Sequence, residues 1–198
     1  KVGLLLDALE QTGQADHTVI VFTADHGEML GERGMWFKFN PYEPSIKVPL
    51  IIQAPGAKAG HRVSMNCSLV DLLPTLTDLA TDGRPPALAD HCDGRSLQAL
   101  LHGSDPGRTD EALIEFTGEG VYAPAFILRQ GRVKYVSCEG DPGQLFDLQQ
   151  DPKELHNLCT DPAFAPMAQR FVAGSLTTYC VGVSDRRSPR SPSPAGTR

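Results

Sequence analysis

The stretch VIVFTADHGE, residues 19–28, decides the fold class, because a continuous apolar and β-branched run ends abruptly in Asp25, His26 and Gly27. Such a run is typical of a strand buried on both faces, and we predict one over residues 18–23. In α/β proteins, ligands bind at the carboxyl ends of strands. A carboxylate and an imidazole there are candidate ligands of one divalent cation, and Gly27 would supply the backbone freedom that lets both reach it.

Lys38 lies thirteen residues beyond Asp25, in a segment with two glycines and two aromatic residues that suggests a shaped loop. A lysine beside a metal can hold a tetrahedral anion or protonate a leaving oxygen. The alternative is that Asp25 caps a turn while His26 and Lys38 are ordinary surface residues. A motif this short leaves both interpretations open.

Composition narrows the class of protein. The chain has 198 residues, 40% of them hydrophobic, which suffices for one domain with a core. Its net charge of −6 argues against a nucleic-acid partner, and no apolar run is long enough to span a membrane. Five unclustered cysteines suit a reducing compartment. The start carries no signal-peptide pattern, so we expect a cytoplasmic protein, and it lacks an initiator Met, so we expect a fragment.

Hydrophobic patterning predicts helices first and short strands later. The predicted elements are helices over residues 2–11, 68–80, 96–101 and 162–176, and strands over residues 47–53, 112–116, 125–129 and 132–136. We expect Pro74 to kink the second helix or mark its restart, and Gln130 and Gly131 to form a tight hairpin.

These elements predict an α/β protein with three parts. Residues 1–108 would belong to a large mixed sheet flanked by helices, and residues 109–180 would form a small antiparallel-sheet subdomain. Residues 181–198 are rich in Ser, Pro and Arg and are expected to be disordered. The strand over residues 18–23 needs neighbours on both sides, so we expect the isolated chain to be poorly stable.

Several blocks in a fixed order make a family resemblance visible. They read TADHGEMLGERG (23–34), WFK (36–38), VPLII (48–52), SLVDLLPTL (68–76), DGRSL (93–97), QLFDL (144–148) and DPKELHNL (151–158). Together they resemble the sulfatase family of the alkaline-phosphatase superfamily, and within it the choline sulfatases most closely. Ordered blocks over roughly residues 1–160 are far more specific than any one motif.

The resemblance implies an alkaline-phosphatase-like fold and roles for four residues. Asp25 and His26 would be ligands of a divalent cation, with calcium the first expectation and manganese left open by the histidine. Lys38 would contact the sulfate and take part in catalysis. Glu115, in the stretch IEFTGEG (114–120), would face the quaternary ammonium of choline, although it could equally be a solvated carboxylate at a strand end.

The resemblance also implies a formylglycine nucleophile made within a Cys/Ser-x-Pro/Ala-x-Arg motif. None of the five cysteines begins Cys-x-Pro-x-Arg, so we expect the nucleophile in an N-terminal half absent from this chain, and we expect the isolated chain to be inactive. The parent protein would hydrolyse a small sulfate ester, first of all choline sulfate. A homo-oligomeric parent protein is compatible with the resemblance. The alternatives are a phosphonate or phosphodiester hydrolase of the same superfamily and a non-catalytic metal-binding fragment.

Overall fold

A computed structural model describes residues 1–81, 92–104, 107–118 and 122–171, and within these ranges the chain folds into two antiparallel sheets with short helices around them. The helices are α1 (Val2–Gln11), α2 (Glu43–Ile46), α3 (Leu72–Thr81), α4 (Gln98–Leu101) and α5 (Ala165–Arg170). The strands are β1 (Ile20–Thr23), β2 (Leu50–Gln53), β3 (Glu111–Phe116), β4 (Ala125–Gln130), β5 (Val133–Cys138) and β6 (Gln144–Asp147). Across the described ranges, no helix combines the length and the apolar character that a membrane crossing needs.

The first sheet consists of β1 and β2, which pair antiparallel with Ile20 opposite Gln53 and Thr23 opposite Leu50. The prediction that this strand is buried on both faces is wrong for the described residues. Phe22 and its partner Ile51 are 46% and 63% exposed. The cause is that β2 is the only strand paired with β1 in the described part of the chain, so one edge and much of the faces stay uncovered.

The second sheet has the order β3-β4-β5-β6, and every neighbouring pair is antiparallel. Gln130 pairs with Val133, which leaves a two-residue turn with Gly131 at positive φ and confirms the predicted hairpin. On one face of this sheet, Leu128, Tyr135 and Leu145 pack with Phe171, which follows α5, to form a hydrophobic core. The Tyr135 and Phe171 rings stack at 5.6 Å, so α5 and the residue after it close that face.

Helix α3 begins later than the sequence predicts, because residues Leu69–Asp71 form a 3-10 turn before it. Pro74 lies in the first turn of α3, where backbone N–H groups lack helical partners, so it marks a restart rather than a kink. Asp71 is buried at this junction and pairs with Arg108 at 2.6 Å. This buried pair fastens the start of α3 to the segment leading into the second sheet.

One strand and one α-helix were not predicted from the sequence. Strand β6 was not predicted, because it is only four residues long and its burial comes from the sheet around it. Helix α2 was not predicted, because a single turn within a loop leaves no periodic pattern. The predicted helix over residues 162–176 is described only up to residue 171, with α5 inside it, and the tail lies outside the described residues.

Candidate active site

Asp25 and His26 lie in the turn that follows β1, where the strand delivers them to the edge of the sheet. The Asp25 Oδ2 atom is 3.6 Å from the His26 Nε2 atom, and the two side chains are 87% and 38% exposed. His26 Nδ1 lies 2.7 Å from the carbonyl oxygen of Gly27. Because a carbonyl only accepts, this contact favours the tautomer with the proton on Nδ1 and leaves the Nε2 lone pair facing the carboxylate.

The two donor atoms fit a shared divalent cation in chemistry and in spacing. A separation of 3.6 Å lets both contact one ion, whose bonds to oxygen are about 2.3–2.6 Å long. The hydrogen bond of His26 to a backbone carbonyl is the usual way in which a metal-binding imidazole is oriented. No group of three or more His, Cys, Asp or Glu side chains that could hold a metal occurs in the described ranges, so Asp25 and His26 would need further ligands to hold a cation.

Gly27 holds this turn against α2, for a reason that the sequence analysis did not give. Its N–H donates to the carbonyl of Ser45 at 2.8 Å. A Cβ atom at Gly27 would lie 2.0 Å from the carbonyl oxygen of Pro44, which no side chain can tolerate. The glycine is therefore required by a close approach of two backbones.

Lys38 lies in the segment of residues 27–47, between β1 and β2, and its side chain is half-buried. Its ammonium group is 5.7 Å from the centre of the Phe39 ring. Its backbone carbonyl accepts a hydrogen bond from the hydroxyl of buried Ser45 on α2.

Glu115 lies near the end of β3 and is exposed. The next residue, Phe116, contacts Phe39 with ring centres 6.3 Å apart. Phe39 follows Lys38 in the sequence and Phe116 follows Glu115, so this ring contact joins two parts of the chain that lie 77 residues apart. Glu119, which belongs to the same sequence block, lies outside the described residues.

One cavity of about 1450 Å³ is lined by all four predicted site residues: Asp25, His26, Lys38 and Glu115. The structure thus brings together side chains that the sequence spreads over ninety residues. The lining includes five Lys or Arg side chains and three Asp or Glu side chains, although the chain as a whole has a net charge of −6. An excess of cationic side chains around the cavity of an acidic chain suits an anionic ligand.

A buried ionic cluster contacts the segment of residues 27–47, which we call the Lys38 segment. Lys134 on β5 is fully buried, pairs with Glu154, and lies 3.5 Å from Glu43 Oε1. Its ammonium also donates to the carbonyl of Pro41 at 2.8 Å. The second carboxylate oxygen of Glu154 accepts from the backbone N–H of Glu43, the first residue of α2, at 2.8 Å. The second sheet thereby fixes the start of α2.

A second contact holds the same segment. The guanidinium of Arg33 lies 4.0 Å from the centre of the Tyr42 ring and donates to the carbonyl of Lys153 at 3.1 Å. Arg33 has a positive φ of 56°, an uncommon conformation for a residue other than glycine, which surrounding contacts must hold in place. The block DPKELHNL (151–158) therefore supports the Lys38 segment through its backbone as well as through Glu154.

Sequence reasoning missed Ser45, Phe39, Lys134 and Glu154. Phe39 carried a weak signal, since it extends the aromatic cluster beside Lys38. Lys134 and Glu154 carried none, because a charged residue in a strand or a turn normally faces solvent. Trp36, in the block WFK (36–38), is 65% exposed and does not line the cavity.

Residues 1–82 match the family model described as Sulfatase. Over 166 residues the chain is 46% identical to the choline-sulfatase of Rhizobium meliloti (strain 1021), an alignment that covers 82% of this chain and 31% of that protein. The chain belongs to the sulfatase family. The predicted resemblance to choline sulfatases is thereby confirmed. This sulfatase-family chain spans less than a third of the length of that relative.

Solved structures agree with the family and confirm the predicted alkaline-phosphatase-like α/β fold class. The phosphonate monoester hydrolase of Agrobacterium radiobacter superposes with a TM-score of 0.78 at 33% identity, over 90% of this chain and 38% of that chain. A 2-O GAG sulfatase superposes with a TM-score of 0.80 at 31% identity, over 91% of this chain and 40% of that chain. Neighbours with different substrates share this fold, so the substrate must be argued from the site.

Proposed function

We propose that the protein containing this chain is a sulfuric ester hydrolase that cleaves small sulfate esters, with choline sulfate as its first substrate. Asp25 and His26 would be ligands of a divalent cation, calcium before manganese. Lys38 would hold the sulfate, and Glu115 would face the quaternary ammonium. The shared cavity carries the proposal, because all four side chains line it.

The chemistry of each residue matches a different part of such a substrate. The ammonium of Lys38 is a point charge for a sulfate oxygen and can lower the energy of the negative charge that develops on the departing alcohol oxygen. A trimethylammonium group cannot donate a hydrogen bond, so it is best recognised by a carboxylate and aromatic faces. Glu115 and the ring pair Phe39–Phe116 are such groups, and all three residues line the cavity.

Two further groups would take part in the reaction, a divalent cation and a nucleophile. The divalent cation, when bound, would neutralise sulfate charge beside Asp25 and His26. None of the cysteines starts a Cys-x-Pro-x-Arg motif. One serine, Ser104, starts the sequence Ser-x-Pro-x-Arg, but it does not line the cavity, and the arginine of that sequence, Arg108, pairs with Asp71. We therefore place the formylglycine nucleophile in polypeptide outside these 198 residues. The same reasoning makes the isolated chain inactive.

The test compares choline sulfate, an aryl sulfate and a phosphonate monoester as substrates of the complete polypeptide that contains this chain. We expect choline sulfate to give the highest kcat/KM and chelation to abolish activity, with calcium restoring more than manganese. Glu115→Gln should raise KM for choline sulfate about tenfold and leave the aryl sulfate unchanged. Glu111→Gln on the same strand is the matched control, since Glu111 does not line the cavity.

A phosphonate monoester hydrolase is the second candidate, and the likeness to the Agrobacterium radiobacter enzyme favours it. A cation, a nucleophile and a lysine serve a tetrahedral phosphorus centre as well as a sulfur centre. A higher kcat/KM for the phosphonate monoester than for either sulfate ester would select this candidate. Absence of turnover on all three substrates would favour the non-catalytic alternative.

A further inference from the structure

Ser45 forms hydrogen bonds with Lys38 and with Gly27, the residue next to His26. Its hydroxyl donates to the carbonyl of Lys38, and its own carbonyl accepts from the N–H of Gly27, next to His26. The residue is 4% exposed and lies on α2, which is only four residues long. A helix of one turn is not stable by itself, so its position depends on its neighbours.

Those neighbours are the buried ionic cluster described above. Glu154 accepts from the backbone N–H of Glu43 at the start of α2, and Lys134 binds the carbonyl of Pro41 just before it. Both side chains are almost completely buried; Lys134 lies on β5, and Glu154 lies in the segment that follows β6. The cluster therefore fixes the first residues of α2. Because Ser45 on α2 is hydrogen-bonded to Gly27 and to Lys38, the position of α2 also sets the positions of these two residues.

We infer that Ser45 is a positioning residue for Lys38, an inference that rests on the proposed function. The hydroxyl sets the place of the Lys38 backbone and, through it, the point from which the ammonium reaches the sulfate. A displacement of about 1 Å in such a group can cost up to about a hundredfold in rate. Nothing in the sequence near Ser45 marks it, since it lies in an unpatterned loop.

The test is a double-mutant cycle with choline sulfate in the complete polypeptide, using Ser45→Ala, Lys38→Ala and the double variant. We expect Ser45→Ala to lower kcat/KM by roughly tenfold to a hundredfold. In the Lys38→Ala background the same change should cost less than about threefold, because the hydroxyl acts through the lysine. Ser137→Ala on β5 is the matched control and should leave kcat/KM unchanged.

A purely structural role for Ser45 predicts a different pattern. Its removal would then cost the same factor with or without Lys38, and that result would overturn the inference, as would full activity of Ser45→Ala. If Ser45→Ala does not fold, Ser45→Cys keeps the volume with a weaker donor and enters the same cycle. Failure of the proposed function is distinguishable, because Lys38→Ala alone would then keep its full activity.

Discussion

Glu154→Gln should destabilise the folded protein by about 3 kcal/mol. Glu154 and Lys134 are 1% and 0% exposed, so the substitution leaves a buried ammonium without its main counter-charge. Removing one partner of a buried ion pair typically costs about 3–5 kcal/mol. We expect the lower end of this range, because Glu43 Oε1 at 3.5 Å and the carbonyl of Pro41 at 2.8 Å still face the ammonium.

The assay is urea denaturation followed by far-UV circular dichroism, with the free energy of unfolding extrapolated to water. In thermal unfolding the same loss corresponds to a drop in Tm of about 6–12 °C. The double variant Lys134→Met/Glu154→Gln should recover most of the loss, because no buried charge then lacks a partner. Glu139→Gln, at an exposed position, serves as the surface control and should change stability by less than about 0.5 kcal/mol. The reasoning fails if Glu154→Gln costs less than about 1 kcal/mol, or if the double variant is less stable than Glu154→Gln.

The remaining predictions concern a glycine, a thiol and a carboxylate. Gly27→Ala should lower both thermal stability and activity sharply, since its Cβ would lie 2.0 Å from the Pro44 carbonyl oxygen. Gly118→Ala is the control and should keep the melting temperature, because no atom lies within 4 Å of its Cβ. Equal melting temperatures of the two variants would contradict this prediction. Burial is the main cause that raises the pKa of the Cys67 thiol, so alkylation of Cys67 near pH 8 should be slower in the folded protein than after denaturation, as mass spectrometry can measure. Burial works to raise the pKa of Asp151, but N–H groups of residues 155 and 156 donate to its carboxylate and bring the pKa below its usual value. A lowered folded pKa contributes stability above the unfolded value of about 3.9, which is lost as pH falls through the folded value. Asp151→Asn should therefore weaken the acid dependence of unfolding below about pH 4, and an unchanged acid limb would refute the assignment.

Local patterns in the sequence predicted the elements whose burial is regular. Helix α1 was predicted over the residues where it forms, and β3, β4 and β5 were predicted within one or two residues. The hairpin between β4 and β5 followed from one glycine. These elements need no knowledge of distant contacts, because periodicity and turn chemistry are local.

The candidate site was predictable only as far as its motif residues. Asp25, His26, Lys38 and Glu115 were chosen from residue type and resemblance, and the structure places them around one cavity. Their support was not predictable, because it depends on contacts across about a hundred residues. No local pattern shows that a lysine in a strand will be buried against a glutamate in a turn.

The buried Lys134–Glu154 pair has a consequence for the order of events during synthesis. The Lys38 segment cannot reach its final place until Glu154 has left the ribosome, since that carboxylate fixes the start of α2. At about 5–20 residues per second, the 116 residues from position 39 to position 154 take roughly 6 to 23 seconds to be added. Throughout that interval Asp25, His26 and Lys38 exist as a nascent chain without a cavity. Synonymous codons that slow translation between positions 38 and 154 should therefore lengthen the time in which this segment is open to proteases and chaperones.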